Sequence, residues 1–124
     1  MVADQILKIA NKVYPNIRAH YGLGKKEYPP IEVHKNVLVR LSGEPDAEGE
    51  PADAEYDRET NKLFIYSDYN NSVEDVIRSI IHEYVHYLQS GSWMKRYYSM
   101  GYKYGNHPYE ISAKKAEENW KMFA

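Results

Sequence analysis

The chain has no cysteine among its 124 residues. Disulfides and thiolate metal sites are thereby excluded, and any bound metal must be held by nitrogen and oxygen. An excess of charge of one sign is also missing. The formal net charge of −2 exerts no general pull toward nucleic acid or an anionic membrane. No apolar run approaches the roughly 20 residues that span a bilayer. The start, Met1-Val2-Ala3-Asp4-Gln5-Ile6, has neither the basic stretch nor the apolar run of a signal peptide. The expected location is the cytoplasm, of a cell or of a virus-infected host. Internal repeats and long linkers are absent too, so residues 1–124 are expected to form a single domain with one modest core.

What the chain has in abundance is tyrosine, 13 residues of it. Seven of these, Tyr84, Tyr87, Tyr97, Tyr98, Tyr102, Tyr104 and Tyr109, fall in the last third. A large apolar ring with a polar tip suits a cleft that must be both packed and wet.

Ile6, Leu7, Ala10, Val13 and Tyr14 recur at helical spacing behind Asp4, and Pro15 is expected to end or bend that helix. Gly22, Gly24, Pro29 and Pro30 mark a loop. Residues 31–41 read as one or two strands with Val37, Val39 and Leu41 on one face. An acidic stretch follows from Glu44 to Glu59, its first half broken by Gly43, Pro45, Gly49 and Pro51 into a solvated loop. Ala54-Glu55-Tyr56-Asp57 and Lys62-Leu63-Phe64-Ile65-Tyr66 read as two short strands joined by a turn at Glu59-Thr60-Asn61. The expected class is α+β: an N-terminal helix, a small three-stranded, mostly antiparallel sheet, and helices behind it.

From Ser72 the pattern turns helical. Val73, Val76, Ile77, Ile80, Ile81, Tyr84, Val85 and Leu88 recur at steps of three and four. Ser72 with Asp75 forms a capping pattern, and Gly91 stands where a helix stop belongs. This helix carries His82-Glu83-Tyr84-Val85-His86, an HExxH motif. Two histidines four residues apart project from one helix face a single turn apart, so both can reach one ion at about 2.0–2.1 Å. Glu83 is rotated about 100° from His82, too far round to share that ion and well placed to touch a water beside it as a general base.

A catalytic zinc takes three protein ligands and leaves a position open. The extended motif HExxHxxGxxH needs Gly at 89 and His at 92, but the chain has Gln89 and Ser92. No Asp follows Asp75, which leaves His107, Glu110, Glu117 and Glu118. Pro108 suits the first position of a new helix capped by Asn106 or His107, with Tyr109, Ala113, Ala116, Trp120 and Phe123 as its packed stripe. Glu110 on the first turn can face back toward the motif helix. His107 competes with it as a ligand, while Glu117 and Glu118 lie further along and read as solvated.

A helix with HExxH and a second helix bearing an acid 24 residues after His86 resemble the gluzincin group of zincin metallopeptidases. More narrowly, the chain resembles single-domain minigluzincins and small bacterial and phage-encoded zincin-like proteins. The resemblance covers residues 31–123 and rests on His82-Glu83-Tyr84-Val85-His86 and Pro108-Tyr109-Glu110-Ile111-Ser112-Ala113. It implies a zincin-like fold and one Zn2+ per chain on His82, His86 and Glu110, with Glu83 as base. It also implies an edge strand for a peptide substrate at Leu63, Phe64, Ile65 and Tyr66. Some relatives carry a second acid two or four residues after the ligand Glu; Ser112 and Lys114 stand there in this chain. The large C-terminal domain of full-sized gluzincins has no counterpart in the matched stretch.

The function implied is hydrolysis of peptide bonds in a peptide or protein substrate. His107, Tyr109, Tyr104 and Tyr102 are the candidate donors to the oxyanion, and residues 91–106 read as a mobile loop over the site. One alternative is a latent or regulatory zinc-binding protein on the same fold. Another is a nucleic-acid-associated protein using Trp93, Lys95, Arg96, Tyr97, Tyr98, Tyr102, Lys103, Tyr104, Lys114 and Lys115, in which aromatics interleave with basic side chains. The acidic first half argues against that reading, and no membrane partner is expected.

Overall fold

A computed structural model describes residues 1–124. Helix α1, Ala3–Tyr21, buries Ile6, Ala10, Val13, Tyr14 and Ile17 along one stripe. Its N-cap is Val2, with Asp4 inside the first turn. Pro15 neither ends nor replaces this helix, which continues to Tyr21. An internal proline costs about 3 kcal/mol. Burying Ile17 completely offsets about 1.5–3 kcal/mol of that, and Tyr21 adds ring contacts with Tyr84 and Phe123.

Strand β1, Ile31–His34, is followed by helix α2, Val37–Ser42, where a strand was expected. The alternation of Val37, Val39 and Leu41 has no buried face to serve, since no α2 residue is buried. The caps decide the matter instead. Asn36 Oδ1 accepts the Val39 N–H at 2.9 Å, and Gly43 closes the helix in the left-handed region at φ 75°.

Strands β2, Ala54–Asp57, and β3, Lys62–Tyr66, form the expected hairpin, with Asn61 at positive φ in its turn. The strand order is β1-β3-β2. The β2–β3 ladder is antiparallel, but β1 pairs with β3 in parallel, so the sheet is mixed rather than mostly antiparallel. The long connection through α2 lets β1 enter the sheet in the direction of β3. Leu63 and Ile65 face the main core with α1 and the motif helix. Phe64 and Tyr66 face the other way, where Arg40 of α2 lies over the Phe64 ring at 4.2 Å and bonds Tyr66 Oη at 2.8 Å.

The motif helix α3, Val73–Leu88, packs against α1, the sheet and the C-terminal elements. Helix α4, Gly91–Ser99, then occupies the stretch expected as a mobile loop, followed by a 3-10 turn at Tyr104–Asn106. Gly91 is the first residue of α4, not the stop of α3. That stop is made by Arg58, whose guanidinium donates to the carbonyls of His86 and Gln89 at 2.9 and 2.8 Å. A Cβ at position 91 would stand 3.2 Å from the Arg58 side chain, so glycine there lets the two helices meet over it. Helix α5, Pro108–Ala116, and a 3-10 turn, Glu117–Met122, close the chain. No helix is long and apolar enough to cross a membrane.

Asn70 is fully buried and ties the sheet to α3. Its Nδ2 donates to the Asp53 and Tyr66 carbonyls at 2.8 Å each, and its Oδ1 accepts from Ser79 Oγ at 2.8 Å. Asn70→Ala strands these buried partners and is expected to cost about 2–3 kcal/mol. The check is a lower denaturant midpoint at unchanged slope.

Candidate metal centre

The two ends of the site are fixed by caps. Ser72 Oγ accepts the Asp75 N–H at 3.1 Å and Asp75 Oδ2 accepts the Asn71 N–H at 2.9 Å, which sets where α3 begins. Val76, Ile77, Ile80, Ile81 and Tyr84 then turn into the core, and the 3.6-residue period leaves His82, Glu83 and His86 toward the cleft. Opposite them, His107 starts α5. Its Nδ1 accepts the Tyr109 N–H at 3.1 Å and its Nε2–H donates to the Met94 carbonyl at 3.0 Å. Pro108 follows at the first helical position, and Glu110 lies within the first turn, facing α3.

Three side chains converge here. His82 Nε2 lies 3.2 Å from His86 Nε2 and 3.1 Å from Glu110 Oε2. His86 Nε2 lies 2.9 Å from Glu110 Oε1. Ligands about 2.0–2.1 Å from a tetrahedral ion stand about 3.3 Å apart, so the spacing fits a single small divalent cation. His82, His86 and Glu110 are the group in this chain able to hold one.

The ligand nitrogens are selected by what holds the opposite side of each ring. His82 Nδ1–H donates to Glu117 Oε2 at 2.7 Å. His86 Nδ1–H donates to Gln89 Oε1 at 2.7 Å, and Gln89 Nε2 is spent on the Tyr109 carbonyl at 3.1 Å. Both rings therefore present Nε2 to the centre. Glu117 overturns the expectation that it is solvated. It stands seven residues after Glu110, at the start of the 3-10 turn that continues α5, and both acids face α3. That seven-residue step was the available signal; the antiparallel run of α5 along α3 was not legible.

Burial works against a charged imidazole at His82, but Glu110 and Glu117 on its two nitrogens outweigh it and raise its pKa to about 10. Burial would raise Glu110; the two imidazoles hold it down at about 2 instead. Glu83 is buried against β2. Its Oε1 accepts the Tyr56 N–H at 2.9 Å, while Oε2 turns toward the centre, 3.9 Å from His82 Nε2. Burial raises the Glu83 carboxyl, against the pull of both imidazoles.

The centre lies within a cleft of about 890 Å³. Asp53 to Tyr56 form one wall, Met94, Tyr98, Tyr104 and Ile111 another. Tyr104 reaches this cleft, and desolvation, then the charges of Glu110 and Glu83, raise its hydroxyl to about 12, so it stays a donor. Tyr98, not singled out among the oxyanion donors, lines it too. Three of the expected donors do not. Both nitrogens of His107 are used within the fold, Tyr109 packs on Tyr97 and His107, and Tyr102 packs edge-on against Tyr97. Tyr97 sits at the middle of that aromatic cluster.

The expected edge strand is also corrected. Leu63, Phe64, Ile65 and Tyr66 are buried in the central strand, flanked on both sides. The edge beside the centre is β2. Tyr66 N–H bonds the Asp53 carbonyl, so in the β2–β3 register the main-chain groups of Ala54 and Tyr56 point outward.

Glu117→Gln is expected to weaken metal binding by about 10–100-fold, read by competition with a chromogenic chelator, while Glu118→Gln, on exposed surface, leaves it unchanged. Because a metal must displace the proton that His82 retains up to about pH 10, apparent affinity is expected to rise with pH across the neutral range, about tenfold per unit for one proton released. Binding in unbuffered solution should correspondingly acidify it. Comparison with known protein families, with curated proteins and with solved structures found no match, so the chemistry of this chain has to be read from these side chains.

Proposed function

We propose that this chain is a zinc-dependent metallopeptidase of the gluzincin type. The observation that carries this reading is the convergence of His82, His86 and Glu110 to within 2.9–3.2 Å, with one Glu83 oxygen anchored on β2 and the other turned toward them. Two imidazoles and a carboxylate, without sulfur, suit zinc in an open catalytic site. Zinc there supplies Lewis acidity and makes a water molecule nucleophilic near neutral pH.

The chain's own groups do the rest. Glu83 takes the proton from the attacking water through Oε2 and passes it to the leaving amine, so that water adds across the amide to give an acid and an amine. Tyr104 and Tyr98 are the hydroxyls within the cleft that can donate to the oxygen gaining charge. The outward N–H and C=O of Ala54 can pair with the main chain of an extended peptide. Burial of Glu83 favours a base poised closer to neutrality than a solvated carboxylate.

Elemental analysis tests the centre first. About one zinc per chain is expected for wild type and much less for His86→Ala and Glu110→Ala. A mixed peptide library then tests the reaction: Glu83→Gln should keep its zinc and lose cleavage by about 100-fold or more. Wild type that holds no zinc after metal-replete purification overturns the reading. Zinc retained without cleavage of any peptide points to the latent or regulatory zinc-binding protein instead.

A further inference from the structure

The cleft differs in chemistry along its length. Strand β2 and α3 run in the same direction past the centre: Asp53 lies near Asp75 and His82, Tyr56 reaches Glu83, and Arg58 reaches the last turn of α3. At the Asp53 end the lining includes Asp75, Arg78 and Glu117. Arg78 is spent on Glu74 at 2.8 Å, with Glu117 at 3.9 Å. Asp75 is spent on the cap of α3, and Glu117 on His82. The Asp53 carboxylate has no hydrogen bond or ion pair within the chain. Its backbone, in contrast, is fixed, because its carbonyl accepts from Tyr66 N–H at 3.0 Å and from Asn70 Nδ2 at 2.8 Å. At the other end, beyond His86, the lining is Met94, Tyr98 and Tyr104, with Ile111 beside Glu110. Tyr104 and Ile111 are 67% and 54% exposed.

We infer that the cleft reads a peptide with a cationic group on one side of the scissile bond and a large apolar side chain on the other, Asp53 receiving the cation. This rests on the cleft being a peptide site. Asp53 is exposed, anchored at the backbone and free at the carboxylate, so the root of the contact is fixed while its charge is left for a ligand. The local field has the right sign, since desolvation and then the charges of Asp75 and Glu117 raise the Asp53 carboxyl. A cation seated there relieves that crowding, whereas a second acid adds to it. At the far end the exposed rings and the Ile111 and Met94 side chains offer apolar area with no internal partner to cover it. Arg58 lines the cleft at that end, where its guanidinium caps the last turn of α3, and it disfavours a second cation there.

The cation can be a lysine or arginine side chain or a free α-amine, and the test separates them. Eight capped ten-residue peptides carry Lys or Glu at one position and Phe or Ser three residues away, in both orders. A ninth has a free N-terminus and no lysine. Their binding to zinc-loaded Glu83→Gln is read by fluorescence anisotropy. The Lys and Phe peptide should bind at least about fivefold tighter than its Glu counterpart, the scale of a partly screened ion pair. Asp53→Lys should invert that preference, and it leaves both backbone bonds of residue 53 in place. Ile111→Ser, on exposed surface, should erase the preference for Phe while keeping that for Lys. Equal binding of the free-amine peptide assigns the cation to an N-terminus and supports the inference. Equal binding of Lys and Glu peptides, a preference indifferent to Asp53→Lys, or no binding of any peptide overturns it. Wild-type cleavage of the same peptides is followed in parallel. Selective binding without cleavage removes the peptidase reading and leaves the selectivity standing; cleavage without selectivity does the reverse.

Discussion

His82 is gripped at both ring nitrogens, by Glu110 at Nε2 and by Glu117 at Nδ1, and the arrangement of the C-terminal third depends on that grip. Two carboxylates seven residues apart, one in the first turn of α5 and one at the start of the 3-10 turn after it, bracket one imidazole on another helix. Glu110 and Glu117 favour the charged form of His82, and a positive charge at that ring offsets the repulsion among the three acids Glu83, Glu110 and Glu117. A divalent ion would fill the same role with more charge, and the three side chains already stand close enough together to meet one with little reorganisation.

Each element that meets the centre is fixed by a polar contact that the core alone would not provide. β2 is tied to α3 by Glu83 on the Tyr56 N–H. The end of α3 is tied to the turn that follows β2 by Arg58. The start of α5 is tied to α4 by His107. Apolar burial supplies most of the free energy but is indifferent to small slides. These directional bonds set the geometry, and ligand spacing near 3 Å requires that.

How much was legible in the sequence follows from whether the signal was local. The α3 stripe, the Ser72 cap, the β2–β3 hairpin and the Pro108 start all depend on residues within one or two turns of each other, and all four stand in the structure. The placement of His82, Glu83, His86 and Glu110 around one point was legible because helix periodicity sets three of them and a cap sets the fourth. What could not be read depended on partners distant in sequence. Val37 to Leu41 have strand alternation, but Asn36 and Gly43 cap a helix and no sheet face waits for those side chains. Residues 91–106 looked like a loop because of their Gly and Ser content. They form α4 and a 3-10 turn, with Tyr97 packed against Tyr102, His107 and Tyr109. Glu117 reads as solvated because its seven-residue step from Glu110 has no meaning until α5 is found beside α3; its partner His82 is 35 positions away. Strand order is not written in local sequence, so β3 reads as an edge although β1 pairs along its other side.

The bond from Glu83 to the Tyr56 N–H has a consequence for how the protein behaves in bulk solution. A three-stranded sheet has an open margin at β2, and an open margin invites a second molecule to add its own strand. Here a buried carboxylate occupies one of the outward donors, and the helix that carries it stands across the approach. A neighbour seeking to extend the sheet meets a negative charge and a helix instead of a free row of amides. At the β2 margin the outward amide of Tyr56 is already taken, so the row of open donors along that strand is broken at Tyr56 by a side chain from the neighbouring helix.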